Sequence, residues 1–236
     1  MHRRSLVLSI GSAGLLMAGR STFLRAQSSD DLDYEDFDGP LPSLVPFGTN
    51  PPTEPEQAQA YRILRAAPRN KSLLETAGYF ESITERNTEG EHFNAAWRER
   101  WNPVIVQFYK VTQLSHPYVL ERGDTIPWCA AFLNWCLDAA GLAVTSSASS
   151  SSFRTYGSET EHPRPGDVVV FKHANRRYAD VGRGHVGIFA GMEGQRIRVL
   201  GGNQKAGKKY SSVCFSAFPK ISDALVLHSF RRPTRA

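Results

Sequence analysis

The spacing of apolar residues changes character once along this chain, and that change limits the fold class more than any other feature. From Glu56, apolar side chains recur at three- and four-residue intervals, as Tyr61, Ile63 and Leu64 and then Leu73, Leu74, Ala77, Phe80 and Ile83. This is the period of helices with one buried face. A third helix is expected over Trp97 to Trp101, restarting after Pro103 with Val104, Ile105, Phe108 and Tyr109. Past the serine-rich stretch Ser146 to Ser152, short β-type runs take over: Asp167 to Phe171, His185 to Ala190, Arg196 to Leu200, Ser212 to Phe215 and Ala224 to Phe230. Glycines and charged turns separate them. Helices first and strands later, with no internal repeat, predict an α+β domain whose sheet is mostly antiparallel.

The 236 residues, 41% of them hydrophobic, suffice for one packed domain with appendages. The periodic part does not reach the N-terminus. Arg3 and Arg4 precede an apolar run, Leu6 to Gly19, that ends in small residues and is followed by Ala26, the order of a signal peptide over residues 1–26. The run is shorter and richer in Gly and Ser than a membrane span of about 20 strongly apolar residues, so no stable membrane anchor is expected. Arg3 and Arg4, followed by Ser5, Leu6 and Val7, resemble a twin-arginine export signal, with His2 where that signal usually has Ser or Thr. The twin-arginine and general secretory routes both stay open, and either leads to the periplasm or the medium. Residues 27–55 hold seven acids, no Lys or Arg, and six prolines from Pro40 to Pro55, which reads as a linker. Residues 56–236 then form the domain.

Charge divides along the same lines. Removing residues 1–26 deletes four arginines and no acid, so +5 falls to +1, and the seven acids of the linker leave +8 on residues 56–236. A basic domain outside the cytoplasm suits anionic wall polymers or lipid headgroups. No basic stripe interleaved with aromatics supports a nucleic-acid partner.

Three cysteines leave at least one thiol unpaired. Cys129 and Cys136 stand seven residues apart on one expected helix, a rise of roughly 10 Å that no disulfide spans. A bond between Cys136 and Cys214 stays open, and the favoured reading makes both of them small buried residues.

The helix carrying Cys129 has clear ends. Asp124 or Thr125 suits its cap, Pro127 its first turn and Gly141 its exit. Cys129 therefore falls in the first turn, where the helix dipole and unpaired N–H groups favour a thiolate and can stabilise an oxyanion. A cysteine nucleophile needs a base. Among the seven histidines, His185 has the best setting, between Gly184 and the apolar Val186–Phe189 run, whereas His173 lies in a polar loop and is weaker. Asn203, after Gly201 and Gly202 at the end of the next strand, would come beside His185 in an antiparallel pair and could accept its ring N–H, with Gln204 as the fallback. On these residues alone a buried structural cysteine and a backbone-satisfied histidine compete with the catalytic reading.

The strings PWCAAFLNWCLDAAGL, RPGDVVVF, GHVGIFAG and VLGGNQ, in that order, closely resemble the CHAP domain (cysteine, histidine-dependent amidohydrolase/peptidase) of the papain-like NlpC superfamily, over Asp124 to Phe215. The resemblance implies a papain-like α+β fold, with a helical N-terminal half supplying the nucleophile helix. It puts the nucleophile on Cys129, the histidine on His185 and the asparagine on Asn203. The implied activity is a peptidoglycan hydrolase cutting an amide bond, as an N-acetylmuramoyl-L-alanine amidase or a peptide endopeptidase, acting as a monomer with no metal or other cofactor. The competing class is a non-catalytic wall-binding module on the same fold. Many members carry an acid two positions before the asparagine, where this chain has Gly201. Asp167 is read as structural, Trp128 as core or substrate platform, and the serine run as a flexible loop. A zinc site of Cys129, Cys136 and His185 is disfavoured by the separation of the two sulfurs.

Overall fold

The computed structural model describes residues 48–206 and 210–236. The signal peptide and most of the linker expected from the sequence lie outside them. The protein is α+β: among the described residues, five α-helices precede a six-stranded antiparallel sheet, and a sixth short one lies between two of its strands.

Local chemistry sets the helix ends. α1 (Glu54–Ala66) opens on Thr53, whose N–H donates to Glu56 Oε2 at 2.7 Å. α2 (Leu73–Glu81) opens on Ser72, whose hydroxyl accepts from Glu75 N while Glu75 reaches back to Ser72 N, the reciprocal arrangement of a capping box. α3 (Pro103–Phe108) is capped by Asn102, which accepts from Val104 N at 2.8 Å. α4 spans His116–Arg122 and α5 spans Cys129–Ala139. None of the described helices is long and apolar enough to cross a membrane.

The packed domain begins before Glu56. Gly48 and Asn50 already lie along Arg100, with Trp101 N donating to Asn50 O at 3.0 Å. A Cβ on Gly48 would stand 2.3 Å from the Arg100 carbonyl carbon, so this close approach needs a glycine. Arg100 then binds the buried Glu56 through two hydrogen bonds, of 3.0 and 2.8 Å.

The helix expected over Trp97 to Trp101 does not form. Its backbone donors find partners elsewhere: Trp97 N and, just beyond the segment, Asn102 N donate to Asp124 Oδ2, at 3.3 and 2.8 Å, Arg98 N to Glu91 Oε1 at 2.8 Å, and Trp101 N to Asn50 O at 3.0 Å. Pro103 adds to this by disfavouring helical geometry at Asn102. Asp124 is correspondingly not the cap of α5. It sits in a 3-10 turn, Gly123–Thr125, and the residue before α5 is Trp128.

The strands are β1 (Ser158–Thr160), β2 (Val168–His173), β3 (Gly184–Glu193), β4 (Arg196–Gln204), β5 (Ser212–Phe218) and β6 (Leu225–Arg232), in the order β1-β6-β2-β3-β4-β5. β1 and the short helix α6 (Arg176–Asp180) were not signalled by periodicity, since each is under two helical turns long. Alternation along the strands divides the core in two. Val168, Val170, Val186, Ile188 and Leu200 join the helices, where Phe80 meets Phe108, Phe132 and Trp135 edge to face with centroids 5.0–5.9 Å apart. Val169, Phe171, Phe189, Ile197, Val199 and Leu225 form a second cluster on the opposite face.

Candidate functional site

Cys129 is the first residue of α5 and is buried, at 5% exposure. No side chain caps this helix, so the dipole of its first turn acts on whatever anion forms there. Two long-range contacts fix the approach to the helix. Tyr109 Oη donates to Ile126 O at 2.9 Å, and Asp124 holds the 97–102 loop as described. Burial pushes the Tyr109 phenol well above its ordinary pKa, and the nearby charges of Cys129 and Asp124 act in the same direction. Burial also raises Asp124 to about 7, against its hydrogen bonds from Asn102 and Trp97.

Trp128 proves to be core. It is fully buried, and its ring stacks with Phe108 at 6.3 Å and 29°. Its other neighbour is the end of β4: a Cβ built on Gly202 would lie 2.5 Å from Trp128 Cζ3 and 2.8 Å from Phe132 Cβ. A glycine there lets the start of α5 lie directly on the sheet.

His185 is the second residue of β3 and is fully buried. Its register partner is Phe171, and its ring lies 5.3 Å from that of Phe218 at 32°. It therefore shares the face of the second cluster, whereas Val186 and Ile188 point toward α5. Burial pushes His185 down to about 4, and the side-chain hydrogen bond with Gln204 acts in the opposite sense.

Gln204 reaches that position through a bulge. Gly201 pairs with Cys214 and Gln204 with Ser212, so three steps on β4 match two on β5. One extra residue is inserted, and Gln204 returns to the face that strict alternation would have given to residue 203. Asn203 takes up the strain with φ 59°, in the left-handed region that Asn tolerates better than most residues. Gln204 is fully buried, its Nε2 donates to Cys214 O at 2.9 Å, and its amide lies over the bare Cα of Gly201. The Gly201-Gly202-Asn203 run was a legible bulge signal in the sequence.

The other singled-out residues have structural partners. Asp167 accepts from Arg164 N at 2.8 Å and from both Nε and Nη2 of Arg232, at 3.2 and 3.1 Å. His173 Nδ1 accepts from Asn175 N at 2.9 Å, and its ring meets Tyr178 edge-on. The serine run is not a loose loop. Asn134 of α5 binds Thr145 N and Ser147 O, Ser150–Thr155 forms a 3-10 turn, and Arg154 donates to Ala179 O and Arg183 O just before β3. All three cysteines are buried thiols, with no disulfide among the described residues. Nor, among those residues, do three of His, Cys, Asp or Glu stand together as a metal-binding group.

No curated protein and no solved structure matches the chain. The chain matches the model of the CHAP domain family over residues 121–203, a span running from the end of α4 to the bulge at the end of β4.

Proposed function

We propose that this chain is a peptidoglycan hydrolase that cuts an amide bond by cysteine nucleophilic catalysis, with Cys129 as nucleophile and His185 as base. The observation that carries the proposal is the seating of α5: a helix beginning at Cys129, pressed onto Gly202 at the end of the sheet where His185 enters β3. The match over residues 121–203 supports the same class, since CHAP domains are amidase- or peptidase-type hydrolases of peptidoglycan.

The depressed pKa of His185 defines the resting state. At neutral pH the imidazole is uncharged and can accept the Cys129 proton as sulfur attacks the amide carbonyl. The first-turn N–H groups of α5 are suited to the oxyanion. Collapse of the tetrahedral intermediate breaks the C–N bond, and His185 passes its proton to the leaving amine. Water, deprotonated by His185, then cleaves the thioester and releases the acid and the thiol. The substrate is a muropeptide stem or crossbridge, the enzyme works as a monomer after export to the periplasm or medium, and the basic charge of residues 56–236 draws it to the anionic wall. Mass spectrometry of digested wall tests this: wild type should release new amino termini, and Cys129→Ala and His185→Ala should release none. Undiminished digestion by either variant sinks the proposal. Free stem peptides identify an amidase, cut crossbridges an endopeptidase.

The burial of both groups favours a second reading, a wall-binding module with an inert thiol. Alkylation near neutral pH separates the two. A catalytic Cys129 reacts far faster than Cys136, whose pKa burial pushes well up, whereas an inert one labels no faster.

A further inference from the structure

We propose that Gln204, rather than Asn203, is the residue that orients the His185 imidazole, its side chain crossing the bare Cα of Gly201 to set an amide oxygen against the ring. The inference rests on the hydrolase reading for its consequence but not for its geometry. Three observations carry it. The bulge at Gly201–Gln204 turns Gln204 onto the face that holds His185. On that face Gly187, two residues after His185, and Gly201, on the neighbouring strand, present no side chains: a Cβ on Gly201 would stand 3.6 Å from Gly187 Cα. The Gln204 amide occupies the space above them, with Nε2 at 2.5 Å and Cδ at 3.2 Å from the position of that Cβ. A side chain at 201 and the amide of Gln204 are therefore mutually exclusive.

The amide has one available sense. Nε2 is committed to Cys214 O, which turns Oε1 away as the acceptor. The amide lies within reach of the ring, where its side-chain hydrogen bond favours the protonated imidazole. An oxygen accepting one ring N–H fixes the tautomer and leaves the other nitrogen as the base. Gln204 is thus a positioning residue, acting on the substrate only through His185. The acid that many CHAP domains carry two positions before the asparagine would need the same space, and the Gly201 of this chain is what admits the glutamine.

Nitrogen-15 spectra of the imidazoles in the exported chain, with hydrolysis of a soluble muropeptide, test the proposal. Gln204→Met keeps the length and bulk and removes the oxygen. His185 should change from one tautomer to a mixture, and kcat should fall roughly 100-fold with KM nearly unchanged, the scale of a misplaced catalytic group. Gln204→Glu restores an acceptor at the same place, so the single tautomer and most of kcat should return. Asn203→Ala should leave the tautomer as in wild type. A tautomer that shifts in Asn203→Ala and stays put in Gln204→Met overturns the proposal, as does an unchanged spectrum in both Gln204 variants. The spectra need no turnover, so they decide the role of Gln204 even if Cys129→Ala retains hydrolysis and the hydrolase reading itself fails.

Discussion

The Cys129 side and the His185 side of the proposed site are held in place by opposite means. Around Cys129 the chain is fixed by bulk: Trp128, Phe108, Phe132 and Phe80 pack ring against ring, and Asp124 and Tyr109 tie the approach to distant backbone. Around His185 it is fixed by missing side chains. Gly184, Gly187, Gly201 and Gly202 each meet a neighbour within 2.5 Å of where a Cβ would stand: at Gly184 it is the Phe171 backbone, at Gly202 the Trp128 ring, and at Gly187 and Gly201 the side chains of Val199 and Gln204 take the space. The contrast teaches that the first side should answer to mutation through stability and the second through geometry.

The largest effect expected is on activity. Cys129→Ala and His185→Ala should each reduce wall hydrolysis to background while urea unfolding still shows a cooperative transition. Activity in either variant would remove the chemical reason for comparing the two sides. Next comes Trp128→Ala, which empties a fully buried aromatic site and should cost about 3–5 kcal/mol in the same unfolding measurement. A loss below about 1 kcal/mol would mean that bulk is not what secures the Cys129 side.

The pH dependence of stability sharpens the comparison further, because the buried ionisable groups on the two sides have opposite signs. Asp124 is raised, to about 7. Its contribution is fully present below the unfolded carboxylate value and is lost as pH rises through about 7. His185 is lowered, to about 4. Its contribution is present above the ordinary histidine value and is lost as pH falls through about 4. Asp124→Asn should remove the loss of stability between pH 4 and 7, an effect on the order of a few kcal/mol, and a slope unchanged from wild type would refute the assignment. For His185, the acid limb of kcat/KM should lie well below the ordinary histidine value, and a limb at 6.5 would show that the ring is wetter in solution than its burial indicates. The smallest effect belongs to neither side: Arg176→Ala breaks an exposed pair with Asp180 at 3.5 Å and should leave the melting temperature unchanged.

Periodicity and local signals made much of this protein legible in advance. Apolar spacing located α1, α2, the start of α3 and five of the six strands to within a few residues, because burial of one face imposes a 3.6- or 2-residue repeat on the chain itself. Gly141, at φ 71°, ends the Cys129 helix for similarly local reasons, whereas Pro127 falls before its first turn rather than in it. Four features followed from partners far away in sequence instead. Trp97 to Trp101 reads as helix until Asp124, Glu91 and the Asn50 carbonyl take amide protons from it. Asp124 reads as a cap until burial turns it inward. Trp128 is an open choice until Gly202 closes on its ring. The face that residue 204 takes is open until one inserted residue on β4 turns Gln204 toward the side of the sheet that holds His185. Local propensity acts over a turn or a pleat, whereas the destination of a buried polar group depends on which donors and acceptors the assembled sheet and helices bring within 3 Å or so.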